Sequence, residues 1–345
     1  MSISHVLLFL TYRCNLHCSF CLSFNGYWQG EPSLSLPVAV APQLSLRPAR
    51  LVQEMTTSDI IDRVIPQFLE SNVQVVALSG GEVLVRRDAE IIFRELGKSK
   101  LGWCFDSNMM LCTQPVAEAI IDASCDSVLV SLDGQREVHN RLRRNPRAYD
   151  KTTEGLQRLL HARSETNNAK TKIILNFVLQ PGNEPSPPHM VQLAADFGVD
   201  EIQFQLLSER KYQQLFDAEI AAKSMYQAFE LARNFGLPAA LYPVSDPSLE
   251  NLTSWFSMPL TKLQPDAFYR GCRYIHNNLR IDPEGNVIPC LEYKLGNILE
   301  EDLLDIWNGD AYRTFRKQLA LNGPFEACLR CCNISHEQRY VEPSH

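Results

Sequence analysis

The stretch that decides the fold is "ISHVLLFLTYRCNLHCSFC", residues 3–21. Its first half is a short run of apolar residues with no charge, the pattern of a strand buried on both faces. Its second half holds three cysteines, Cys14, Cys18 and Cys21, with three and then two residues between them. A buried strand that opens into a loop of thiols is a scaffold delivering chemistry at one strand end.

Working outward, short apolar strands alternate with amphipathic helices over about the first 235 residues. "TSDIIDRVIPQFLES" puts Ile60, Ile61, Val64, Ile65, Phe68 and Leu69 on one helical face, with a kink expected at Pro66. The alternation continues through "VQVVALSG", "DAEIIFRELGKS", "GWCFDSN", "QPVAEAIIDAS", "DSVLVSLDG", one long helical region from Gln135 to Arg163, "TKIILNFVL", "PHMVQLAADFG", "DEIQFQLL" and "DAEIAAKSMYQAFELARNFG". Six such units predict an α/β fold with a parallel sheet and helical crossovers. In such folds reactive groups gather on loops at the C-terminal strand ends. The cysteine loop, "SGGE", "DSN" and "SLDG" all fall there.

Two regions interrupt the rhythm. Residues 25–55 are too long for an ordinary connection and read either as a substrate lid or as a variable surface loop. The Pro-containing stretch after Leu237 reads as a linker, 241–264, between a first domain of residues 1–240 and a C-terminal module of residues 265–345.

Of the 345 residues, 45% are apolar and 21% charged, and no run of about twenty is uniformly apolar, so no membrane span is expected. The five-residue run "VLLFL" lacks the basic flank of a secretion signal, and the expected location is the cytoplasm. A net charge of -7 disfavours a general nucleic-acid binder. Eleven cysteines without such a signal point to reduced thiols used for metal or redox chemistry.

A closed iron-sulfur site takes four thiolates, so three leave one iron open to a further ligand. The Cys-x3-Cys-x2-Cys loop after the first strand, with Phe20 before the last cysteine, closely resembles the signature of the radical S-adenosylmethionine superfamily. "SGGEV" resembles that family's Gly-Gly-Glu-Pro motif, with Val83 where proline is usual. "SLDGQREVHNRLR" at residues 131–143 resembles its ribose-side segment. The resemblance implies a partial parallel (β/α)6 barrel and a 4Fe-4S cluster on Cys14, Cys18 and Cys21. S-adenosylmethionine would complete the cluster as the fourth ligand, and its reductive cleavage would give a 5'-deoxyadenosyl radical that abstracts hydrogen from a substrate. It further implies cofactor contacts from Phe20, Gly80, Gly81, Glu82, Asn108, Ser131, Asp133 and Arg143. Gly80 and Gly81 would let carbonyls approach the methionyl ammonium, Glu82 would accept from it, and Arg143 would pair the carboxylate. A zinc site on the three cysteines with His5 or His17 is the competing metal reading, but it leaves "SGGE" unexplained.

Cys272, Cys290, Cys328 and Cys331 can close a second site, iron-sulfur or zinc by spacing alone. The hairpin "CRYIHNNLRIDPEGNVIPC" and the following helical segment resemble the SPASM and twitch extensions of the same superfamily. Five cysteines including Cys332 then imply a one-cluster, twitch-like module with an auxiliary 4Fe-4S cluster, Cys332 being spare. Within that group the spacing resembles a dehydrogenase acting on an aminocyclitol alcohol. Cys104, Cys112 and Cys125 read as core residues, Cys104 lying near a strand end, and Asn176 and Gln205 as either pocket-facing or satisfied core amides.

These features imply oxidation or rearrangement of a small polar metabolite such as a sugar or aminocyclitol. A low-potential donor of the flavodoxin or ferredoxin type would supply the electron. Ribosomal-peptide modification is the second reading, weakened by the absence of room for a peptide-recognition domain before Cys14. A non-catalytic iron-sulfur carrier is the third. The base that removes the second proton is expected among the residues of the barrel mouth.

Overall fold

The computed structural model describes residues 2–21, 53–166, 170–207, 216–242, 244, 246–257, 272, 274–289 and 293–322, and the backbone of 45–46. The sequence folds as a partial parallel barrel. Its strands are β1 (His5–Thr11), β3 (Val75–Gly80), β4 (Gly102–Ser107), β5 (Ser127–Ser131), β6 (Lys172–Leu179) and β7 (Glu201–Leu206), side by side in chain order and all parallel.

Between them run the crossover helices α1 (Ile65–Glu70), α2 (Ala89–Lys98), α3 (Gln114–Asp122), α4 (Arg136–Arg143), α5 (Ala148–Glu165) and α6 (Pro187–Phe197). Pro66 lies in the first turn of α1, at the junction with wider turns over Asp59–Val64, so the expected kink takes the form of a change in helical winding. The helical region expected to be continuous from Gln135 to Arg163 is broken. Arg144 adopts a left-handed conformation at φ 53°, and Pro146 follows two residues later. Asn145, directly before a proline, is disfavoured in helical geometry.

Strand alternation separates two faces. Val76, Leu78, Trp103, Phe105, Val128, Val130, Ile202 and Phe204 are buried beneath the helices. Phe93 of α2 stacks on Trp103 and Phe105 with ring centroids 5.2 and 5.3 Å apart. Each such side chain, taken fully out of water, contributes roughly 1.5–3 kcal/mol of transfer free energy. Ala77, Ser79, Cys104, Ser127, Leu129, Ser131, Gln203 and Gln205 share the inner face and are only partly covered.

The stretch expected as a linker from residue 241 begins inside a strand. β8 (Ala239–Tyr242) pairs in parallel with β7, and after α7 (Ala218–Phe235) and β8 a further helix, α8 (Leu249–Ser257), buries Leu252 in the same core. Three prolines in the sequence suggested an open chain, yet Leu241 and Leu252 have core to fill.

On the other edge, β9 (Asn278–Ile281) lies parallel to β1, so the C-terminal module continues the barrel sheet. The expected hairpin is present: β10 (Asn286–Ile288) returns antiparallel to β9, with Gly285 at φ 83° in the turn and Asp282 accepting from the N–H groups of Glu284 and Asn286. β12 (Gly296–Asn297) completes the sheet, and helices over Leu303–Asn308 and Asp310–Asn322 cover it. Most of the 25–55 insertion, and with it the lid reading, lies outside the described residues. Its backbone at β2 (Ser45–Leu46) pairs with β11 (Tyr293–Lys294) of the module.

Candidate active site

The cysteine loop leaves β1 at the C-terminal end of the sheet. Leu16, Cys18 and Phe20 are buried with Leu142 and Ala148, and Cys14 and Cys21 pack against the same patch. The loop is pinned by Ser19, whose N–H donates to the Leu142 carbonyl at 3.0 Å, and by the Leu16 N–H, which donates to the Cys14 sulfur at 3.4 Å. Burial pushes the Cys14 thiol up to about 12, and it raises Cys18 as well, against the pull of Arg143. Thiols so reluctant to ionise in the bare protein give up their protons to a metal. Among the described residues no three His, Cys, Asp or Glu side chains converge on a single ion. His5 sits at the opposite end of β1 from the cysteines, which removes it from the zinc reading.

The glycine turn after β3 is packed against this loop. The Gly81 N–H donates to the Thr11 carbonyl at 2.8 Å and the Glu82 N–H to that of Arg13 at 2.9 Å. A Cβ on Gly80 would meet Thr11 O at 2.2 Å, and one on Gly81 would meet Arg13 O at 2.3 Å. The two glycines are therefore required where two backbones touch, a reason the sequence alone does not reveal.

Glu82 turns inward and is 3% exposed. Its carboxylate accepts from Asn108 N, Ser107 Oγ and Leu84 N at 2.8, 2.8 and 3.1 Å. Burial drives its carboxyl up to about 7 despite these bonds. Asn108 passes the connection on, donating from Nδ2 to Asn15 Oδ1 in the cysteine loop at 2.8 Å. Glu82 and Asn108 thus form a brace running from the glycine turn through β4 to the thiols. Arg86, buried directly after the short helical turn Val83–Val85, donates to the carbonyls of Leu10 and Met55 at 2.9 and 3.0 Å. Glu54 accepts from Thr11 Oγ1 at 2.6 Å and Tyr12 N at 3.0 Å.

Arg143 and Asp133, expected to face the cofactor separately, are bonded to each other. Arg143 Nε donates to Asp133 Oδ2 at 2.7 Å, its Nη1 lies 3.7 Å from the Cys18 sulfur, and its guanidinium sits 5.1 Å above the Phe20 ring. Asp133 is fully buried and also accepts from Val178 N at 2.9 Å, while its own N–H donates to His139 Nδ1.

The inner face opens beside these groups. Asp106 projects from it, enclosed by protein yet open to solvent, as a side chain in a hollow is, and accepts from Ser79 Oγ at 3.3 Å. Burial raises its carboxyl above the ordinary aspartate range, against the Ser79 bond. Ser131, Asn176 and Gln203 lie in register across β5, β6 and β7, with Gln205 one step further along. Asn176 is 8% exposed and its Oδ1 has no hydrogen-bond partner. Cys112 and Cys125 are core residues, and Cys104 faces the hollow. Sequence reading missed Asp106, Asn15, Glu54 and Arg86; for Asp106 the alternation in "GWCFDSN" carried the signal.

Cys272 packs partly buried against the core. Cys290, Cys328, Cys331 and Cys332 lie outside the described residues.

A model of the Radical SAM superfamily matches residues 8–183, half of the chain, including the cysteine loop, the glycine turn, Glu82, Asn108, Asp133 and Arg143. The chain belongs to the radical SAM superfamily. As a radical SAM enzyme it uses a 4Fe-4S cluster and S-adenosylmethionine, and the three thiols, Cys18 buried and Cys14 and Cys21 partly buried, with a guanidinium beside Cys18, have the donor chemistry for such a group. A second model, SPASM, described as an iron-sulfur cluster-binding domain, matches residues 272–332 and brings auxiliary iron-sulfur chemistry.

The radical SAM chain is 24% identical over 334 residues to a probable GTP 3',8-cyclase of Metallosphaera sedula, covering 93% of this chain and 90% of that one. Over 58 residues it is 40% identical to the S-adenosyl-L-methionine-dependent 2-deoxy-scyllo-inosamine dehydrogenase of Niallia circulans, 15% of this chain and 23% of that one. Its fold matches Streptococcus suis SuiB, solved with its precursor peptide SuiA, at a TM-score of 0.65 and 17% identity over 96% of this chain and 70% of that one. No helix among the described residues is long and apolar enough to cross a membrane.

Proposed function

We propose that this radical SAM enzyme dehydrogenates a small hydroxylated or aminated metabolite, of the sugar or aminocyclitol kind, inside the barrel. The observation that carries the reading is the polar row on the inner face: Ser79, Asp106, Ser131, Asn176, Gln203 and Gln205, with one buried amide oxygen unpartnered. A buried acceptor without a donor costs about 1–3 kcal/mol, a cost that a substrate hydroxyl or amine would remove on binding. The short likeness to 2-deoxy-scyllo-inosamine dehydrogenase points to the same substrate class.

In this proposal Cys14, Cys18 and Cys21 hold the cluster that binds S-adenosylmethionine, and Cys272, Cys290, Cys328 and Cys331 hold a single auxiliary cluster. Bound together, the first cluster and S-adenosylmethionine supply a carbon radical that removes a hydrogen atom from substrate. Gly80, Gly81, Ser131 and Phe20 line the cofactor side, Glu82 and Asn108 position the turn, and Arg143 holds a fixed positive charge beside Cys18. Asp106 takes the substrate proton at its carboxylate. Held by those four cysteines, an auxiliary cluster would supply an acceptor for the second electron of a net two-electron oxidation. The catalytic domain extends through α8 to Ser257, with the auxiliary module from about residue 265.

Deuterium transfer tests the reading. With carbon-deuterated 2-deoxy-scyllo-inosamine and related aminocyclitols, label is expected in 5'-deoxyadenosine together with a ketone product. Transfer from GTP with a cyclised product, or from a ribosomal peptide alone, would replace it.

A further inference from the structure

The protein layer over one side of the cysteine loop is basic, although the chain carries a net charge of -7. α4 and the start of α5 form this layer: Leu142 and Ala148 belong to the apolar patch around the cysteines, and the Leu142 carbonyl accepts from Ser19. The same segment presents Arg144 and Arg147 outward to solvent, with Lys151 one turn further on.

Beside them lies a cavity of about 570 Å³ whose lining includes Met110, Arg147, Lys151 and Arg158. Met110 also packs against the cysteine-loop patch. Met110 is thus shared between the cationic recess and the patch that contains the thiols. Glu154 neutralises part of the charge, lying 2.7 Å from Lys151 and 3.4 Å from Arg158. The side chains of Arg144 and Arg147 have no hydrogen bond or ion pair among the described residues. Other arginines of the fold are committed: Arg86 to backbone carbonyls, Arg143 to Asp133 and Arg163 to Asp200. A cationic surplus held beside the cluster that must be reduced from outside, on a chain of net charge -7, calls for a partner of opposite charge.

We propose that this face is the docking surface for an acidic one-electron carrier protein of the flavodoxin type, which reduces the cluster held by Cys14, Cys18 and Cys21. It rests on the cluster placement given above and not on the substrate reading. Net negative charge elsewhere repels an acidic carrier, so encounter is steered to this face. In the transfer an anionic flavin hydroquinone loses one electron and becomes the neutral semiquinone. The cluster gains that electron, and no bond forms between the proteins.

The test compares the reconstituted wild-type enzyme with Arg147→Glu/Lys151→Glu by titration with flavodoxin at low and at physiological salt. Affinity is expected to fall roughly tenfold or more in the variant at low salt, and wild-type affinity to fall as salt rises. A charge-matched variant on α7, Lys223→Glu/Arg233→Glu, is expected to bind as wild type. Reduction of the cluster by flavodoxin, followed by its visible absorbance, slows in Arg147→Glu/Lys151→Glu, whereas reduction by the cationic mediator methyl viologen does not. Unchanged flavodoxin affinity in the first variant, or an equal loss in the α7 variant, overturns the proposal. So does a small anion such as inorganic phosphate filling the recess while flavodoxin binds undisturbed by the substitutions.

Discussion

Nη1 of Arg143 stands 3.7 Å from the sulfur of Cys18 while Nε of the same guanidinium bonds Asp133 at 2.7 Å. Asp133 has no exposed surface, and this arginine is its ion-pair partner. Removing the arginine alone leaves a buried carboxylate unpaired, a loss of about 3–5 kcal/mol. Arg143→Met is expected to lower the thermal midpoint markedly. Arg143→Met with Asp133→Asn is expected to recover part of it, since the stranded charge is gone. Thermal unfolding of the two variants checks both.

The close approach of Gly81 to Arg13 gives a second prediction. Gly81→Ala places a methyl 2.3 Å from the Arg13 carbonyl oxygen; a Cβ has no torsion to turn it aside, and the oxygen belongs to backbone. The cysteine loop must shift, and iron content after reconstitution is expected to fall by about half, one of two four-iron clusters being lost. Unchanged iron content would mean that the loop tolerates displacement.

The two sets of cysteines separate by mutation. Cys18→Ala is expected to abolish formation of 5'-deoxyadenosine while leaving about four irons per chain in the auxiliary site. Cys290→Ala is expected to keep uncoupled cleavage of S-adenosylmethionine and to lose substrate oxidation. Iron analysis and mass spectrometry of the same samples read both outcomes.

Asp106 supplies a pH dependence. It acts as a base only when ionised, so turnover falls as pH drops through its carboxyl pKa. Because burial raises that pKa, the acid limb lies above the ordinary aspartate value of about 3.9. Asp106→Asn is expected to remove product formation without stopping uncoupled cleavage. An acid limb of substrate oxidation that survives in Asp106→Asn would assign the base elsewhere.

Much of this was legible in the sequence because strand ends announce themselves: "RCNLHCSFC", "SGGE", "DSN" and "SLDG" are polar punctuation after apolar runs, and the sheet brings them together. Local reading failed where a side chain's partner is set by tertiary geometry. Asp133 and Arg143 were legible as site residues, but their pairing depends on how α4 turns back over the cysteine loop. Gly80 and Gly81 were legible as a turn, but not their contact with Thr11 and Arg13, because the backbone against them comes from another strand and its loop. The break at Arg144–Pro146 was visible in "RRNPRA" but outweighed by the apolar periodicity on either side. The strand β8 was hidden by its shortness and its flanking prolines.

The most direct test of the central claim is anaerobic reconstitution with iron and sulfide, followed by reductant and S-adenosylmethionine, with iron content and 5'-deoxyadenosine measured on one sample. The account predicts 5'-deoxyadenosine from wild-type protein carrying about eight irons per chain, and none from Cys18→Ala. Cleavage that persists in Cys18→Ala would contradict the placement of the cluster at Cys14, Cys18 and Cys21.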